Sequence, residues 1–107
     1  MAKYLFEVDY TDEGSRGLIK DGGTKRKANA EKMAKDLGGK IEAFYFTFGT
    51  RDAIVIAEIP DTATALAISL AISASGAMRF RTTPLISPAE MDQAAKKHVD
   101  YKAPGQK

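Results

Sequence analysis

Two β-favouring runs, Ile41 to Phe48 and Ala53 to Ala57, follow one another across only four residues, Gly49-Thr50-Arg51-Asp52. Both are rich in β-branched and aromatic side chains, and a connection this short joins two strands antiparallel. A hairpin in mid-chain then constrains what its flanks can be.

On the N-terminal side, Lys3 to Tyr10 alternates, with Tyr4, Phe6, Val8 and Tyr10 on one side and Leu5, Glu7 and Asp9 on the other. That spacing predicts a first strand. Thr11-Asp12-Glu13 then supplies helix-start chemistry for a short helix that carries Leu18 and Ile19 inward until Gly22-Gly23 breaks it. A second helical stretch opens at Thr24 as N-cap and places Ala30, Met33, Ala34 and Leu37 on one face. Lys27 with Glu31, and Lys32 with Asp36, support its outer face at a spacing of four, and Gly38-Gly39 stops it.

Beyond the hairpin, Pro60-Asp61 ends the third strand and offers Asp61 as N-cap of a helix running to about Ser75, where Gly76 ends it. Met78, Phe80 and Thr82 alternate with Arg79, Arg81 and Thr83 in a fourth strand. After Pro84, Ser87-Pro88-Ala89-Glu90 starts a terminal helix reaching about Val99.

The order is that of an α+β, ferredoxin-like βαββαβ fold. Its four-stranded antiparallel sheet carries two helices on one face, and an extra C-terminal helix follows. The expected strand order is fourth, first, third, second. A chain of 107 residues suits one domain, here 1–100, with 101–107 as a flexible tail.

Composition excludes several classes. There is no cysteine, so disulfides, thiolate metal sites and cysteine nucleophiles are out. Sixteen basic against fourteen acidic residues is too even a balance to imply nucleic acid or an anionic membrane as partner. Lys25-Arg26-Lys27 is a basic run at a helix start that could face a phosphate, but Glu31 and Asp36 at helical spacing make it read as a solvated face. Thr62 to Met78 is free of charge, yet its alanines, serines and threonines fall short of the ~20 strongly apolar residues a bilayer needs. Glu7 and Asp9 interrupt any signal-peptide core, so a cytoplasmic location is expected.

The second face of such a sheet has no helix to cover it. Here it cannot be wholly polar, because Phe44, Phe46 and Phe48 oppose Ile41, Ala43 and Tyr45 on the second strand, and Ile54 and Ile56 oppose Ala53, Val55 and Ala57 on the third. Covering apolar surface gains roughly 25 cal/mol per Å², and large bare patches are uncommon on monomers. A homo-oligomer, at least a dimer, is therefore expected. The uncharged helix after Asp61 adds to that expectation, although it could also simply expose alanine and serine.

The segment Gly49-Thr50-Arg51-Asp52-Ala53-Ile54-Val55-Ile56, preceded by Gly38-Gly39-Lys40-Ile41-Glu42-Ala43-Phe44-Tyr45, resembles the GYD family of small bacterial and archaeal proteins. Further similarity runs through Asp9-Tyr10-Thr11, Ile59-Pro60-Asp61, Ser75-Gly76 and Thr82-Thr83, covering roughly Lys3 to Glu90. The family's turn motif is Gly-x-Tyr-Asp, matched here by Gly49 and Asp52 but with Arg51 in place of the tyrosine. The resemblance implies a dimeric α/β-barrel-like assembly, two ferredoxin-like subunits packed sheet to sheet, and no established activity.

Candidate site residues are few. His98 is the single histidine and has no companions at ligand spacing, so no metal and no cofactor is expected. No Gly-x-Ser-x-Gly occurs, and Gly14-Ser15-Arg16-Gly17 is too loose for a nucleotide loop. With the first and fourth strands adjacent, Glu7 and Asp9 would share the open face with Arg79 and Arg81, and Tyr45 is a further candidate to line a pocket through its hydroxyl. These five are the candidates for a small-organic-ligand pocket between sheets, the plain reading being a salt-bridged interface that sets register. Tyr4 and Tyr10 fit a core as readily as a pocket. Asp52 is explained by turn geometry alone. If the turn is only structural, Arg51→Tyr should leave stability within roughly 0.5 kcal/mol. Two functions are then open: a non-catalytic oligomeric binding or assembly protein, or a cofactor-independent isomerase or oxygenase acting on an aromatic or quinone-like substrate, the latter by fold analogy.

Overall fold

Tyr4, Phe6 and Val8 are buried to within a few per cent, as their alternation in Lys3 to Tyr10 demands of a strand with one face on a core. In the computed structural model, which describes residues 1–106, that strand is β1 (Ala2–Tyr10). It is followed by α1 (Asp12–Asp21), α2 (Gly23–Asp36), β2 (Lys40–Phe46), β3 (Ala53–Ile59), α3 (Thr62–Ala74), β4 (Met78–Leu85) and α4 (Pro88–Lys96). The strands form one antiparallel sheet in the order β2-β3-β1-β4, the arrangement the sequence predicts for a ferredoxin-like α+β fold. Of the expected tail 101–107, Lys107 lies outside the described residues.

The core joins Tyr4 and Phe6 of β1 to Val55, Ala57 and Ile59 of β3 and to Ala65 and Ile68 of α3. The Phe6 and Phe80 rings meet at 5.2 Å across β1 and β4. Side-chain chemistry sets the helix ends. Thr11 Oγ1 accepts from the Gly14 amide, Asp61 Oδ1 accepts from the Thr64 amide at 2.8 Å, and Ser87 and Glu90 form a reciprocal capping box behind Pro88. At the end of α2, Gly38 adopts φ +80°, and the Gly39 amide returns to the Ala34 carbonyl at 2.8 Å. The Thr64 hydrogen bonds hold the Asp61 carboxyl below the usual carboxylate range, so this cap is complete at neutral pH and weakens as pH falls through that lowered value.

Five details depart from the expectations. Strand β2 carries a bulge between Ile41 and Ala43, so Ile41 joins Phe44 on the core side instead of opposing it. One extra residue inverts the alternation on one side of it. β2 also ends at Phe46, leaving Phe48 fully exposed in the loop. In α1 the core-facing line is Gly14 and Leu18, four residues apart, and Ile19, about 100° further round the helix, faces solvent. The second helix begins two residues early, with Gly22 rather than Thr24 at its N-cap, and α4 stops at Lys96 rather than near Val99.

No helix among the described residues is long and apolar enough to cross a membrane.

Candidate functional site

The β2–β3 loop is fastened to the end of β1. The Thr47 amide donates to the Asp52 carbonyl at 2.8 Å, and the Thr47 hydroxyl donates to the Arg51 carbonyl. The Asp52 amide donates to the Val8 carbonyl at 3.0 Å, and Asp52 Oδ2 accepts from the Tyr10 amide at 2.8 Å. Asp52 thus ties two chain segments together, which turn geometry alone would not require. Asp52→Ala strands the Tyr10 amide and should cost about 1–3 kcal/mol in a denaturant melt, against about 0.5 kcal/mol for an ordinary surface change.

Held by these bonds, Arg51 reaches over the open face and pairs with both acids of β1. Its Nε lies 3.2 Å from Glu7 Oε2 and its Nη1 3.1 Å from Asp9 Oδ2, with the Arg51 side chain only 24% exposed. The guanidinium's divergent donors suit two separate carboxylates. Register does set Glu7 opposite Arg81 and Asp9 opposite Arg79 on adjacent strands. The ion pairs, however, go to Arg51, and both β4 arginines point into solvent with no carboxylate in salt-bridge range among the described residues. β4 is the sheet's edge, where a hydrated guanidinium gains little from an exposed pair. Tyr45, opposite Ile54, is 66% exposed on the same open face. Gly49 has no neighbouring atoms near its Cα substituent position.

A cleft occupies the other face. Helix α2 rests on β2 while α3 rests on β3 and β4, and the two helices barely touch each other. Between them lies a space of about 220 Å³ floored by Val55, Phe44 and Phe80 and walled by Ala30, Met33 and Ile72. Tyr10, Arg26 and Asn29 supply its polar groups. Burial pushes the Tyr10 phenol above its usual pKa of 10.0, against a smaller opposing pull from the neighbouring Arg26. Tyr10 is therefore neutral and a hydrogen-bond donor at physiological pH. A raised phenol pKa stabilises the fold below pH 10 and is lost above it, so wild type should lose stability relative to Tyr10→Phe as alkaline titration passes that point.

Glu7, Asp9, Tyr45, Arg79 and Arg81 do not line this cleft. The residues that do were partly legible: Arg26 stands four residues before Ala30 and seven before Met33, on the apolar stripe of α2 rather than on its solvated face. Nothing in the sequence alone set α2 and α3 apart. Among the described residues no group of three or more His, Cys, Asp or Glu side chains is placed to hold a metal ion.

Searches of curated proteins and of solved structures find no match to this chain. The family model described as GYD domain matches residues 4–95, from the start of the central strand almost to the end of α4. The chain belongs to the GYD domain family.

Proposed function

We propose that this protein is a self-associating binding protein whose cleft between α2 and α3 takes a small, mainly apolar organic molecule bearing one anionic or hydrogen-bond-accepting group. The cleft itself carries the reading: apolar walls, a permanent cation at Arg26 and a neutral phenol at Tyr10. A dry cavity of about 150 Å³ accepts benzene, so a space near 220 Å³ suits one aromatic ring with a short substituent. The Tyr10 phenol is held protonated at neutral pH, and no carboxylate or histidine among the described residues lines the cleft. Such a pair recognises an acceptor but offers no proton acceptor, which favours binding over isomerisation or oxygenation. Self-association draws support from the open face, where Leu5, Ile54 and Ile56 sit half-buried beside exposed Tyr45 with no helix above them.

Benzoate titrated into isotope-labelled protein tests the reading. Amide shifts are expected at Tyr10, Met33 and Phe80. Ala30→Trp, which fills the cleft, should abolish them, and Arg26→Met should weaken benzoate about tenfold while sparing toluene. Shifts that survive Ala30→Trp, or no shift with benzoate, phenol or toluene, would defeat it.

A further inference from the structure

After β4 the chain leaves the body of the molecule. Helix α4 has no buried residue and no more than fringe contact with any other element. Yet the arm is not polar: Met91, Val99 and Tyr101 are 58%, 74% and 71% exposed. Pro88 and the Ser87–Glu90 capping box give this segment a defined helix start only two residues after the strand.

The molecule's dimensions carry the same message. Its radius of gyration is 17.4 Å, against about 13 Å for a compact domain of this length. Its accessible surface is 7890 Å², against about 5,800 Å² for a compact monomer of 11.6 kDa. The excess of about 2,000 Å² per chain exceeds the ~800 Å² per partner that a stable interface needs.

We propose that the C-terminal arm, residues 86–106, packs on the open sheet face of a second copy of this chain, and that the second copy's arm returns the contact. The inference rests on self-association through that face and names the segment that makes it. An open groove of about 850 Å³ lies between the sheet and the root of the arm, lined by Lys3, Glu42, Ile56, Leu85 and Pro88 among others. Ile54, Ile56 and Leu5 supply apolar ground for Met91, Val99 and Tyr101. Arg79 and Arg81 stand exposed without a carboxylate among the described residues, and of the arm's three acids and three lysines Asp92 and Asp100 supply carboxylates that can meet them. Glu7 and Asp9, which would repel those two acids, share the single positive charge of Arg51, which offsets half of theirs. The contact is isologous, so it closes as a two-fold dimer.

The full chain carrying Met91→Asp, Val99→Asp and Tyr101→Asp together tests this by sedimentation equilibrium. None of the three is buried, so unchanged circular dichroism is expected, with a dimer dissociation constant raised at least about 100-fold. The chain has no cysteine, so Lys97→Cys carries a nitroxide at one site only. Mixed with isotope-labelled wild type, it should broaden the amides of Leu5, Ile54 and Ile56 in the labelled partner. A wild-type particle of 11.6 kDa at micromolar concentration overturns both self-association and the arm contact. A dimer indifferent to the triple substitution, or broadening away from the open face, overturns the arm contact and leaves self-association standing.

Discussion

Arg51→Met is expected to destabilise the fold by about 2 kcal/mol, four times the allowance for a residue of a merely structural turn. The change strips Glu7 and Asp9, which are about a quarter and two-fifths exposed, of their shared cation and leaves two carboxylates side by side on one strand. Fully exposed pairs contribute about 0–1 kcal/mol and breaking a buried one costs 3–5, so partial burial sets a value between. In a domain of this size that lowers the melting midpoint by roughly 8–16 °C. Arg51→Tyr, restoring the residue of the family motif, should lose a similar amount, because a phenol cannot bridge two carboxylates. The specific check is Glu7→Gln with Asp9→Asn: in that background Arg51→Met should cost under about 0.5 kcal/mol, since no stranded charge remains. Equal losses in both backgrounds would mean that the arginine acts by packing and not by pairing.

Gly14→Ala should cost more, on the order of 3 kcal/mol or above. A β-carbon at Gly14 would stand 1.9 Å from the Ala77 carbonyl oxygen, which is backbone and cannot step aside as a side chain would. That carbonyl also accepts from the Thr11 amide at 3.1 Å, so the start of α1 and the turn into β4 are locked together. Moving α1 outward to make room would break this lock and disturb Tyr10, whose ring lies 3.2 Å from the same point. Gly17 is the matched control: it lies in the same helix with open space around it, so Gly17→Ala should be neutral or stabilising by up to about 1 kcal/mol. Comparable melts for the two variants would contradict the close approach.

The position of the cleft relative to Tyr10 makes Gly14 relevant to function as well. Tyr10 is set by β1, by Gly14 beneath its ring and by Asp52 on its amide, so three distant segments hold one phenol. Benzoate affinity should accordingly fall in Asp52→Ala even though Asp52 lines no part of the cleft.

Local pattern determined the elements by itself. Alternation in Lys3 to Tyr10, the four-residue gap between the hairpin strands, and the capping residues Thr11, Asp61 and Ser87 are short-range signals, and each appears where the sequence predicts it. Their order brought the sheet topology with it, because short connections and an antiparallel hairpin leave few ways to pair four strands. Family membership was legible for the same reason, in runs of neighbouring residues. What only the tertiary structure decided depends on residues far apart in the chain. The bulge that turns Ile41 inward arises from pairing with β3 and leaves no trace in composition. The choice of Arg51 over Arg79 and Arg81 as partner for Glu7 and Asp9 turns on side-chain reach and hydration at a sheet edge, both invisible to strand register. The cleft exists because α2 and α3 lie toward opposite edges of the same sheet face, a matter of packing angle that amphipathic periodicity does not encode.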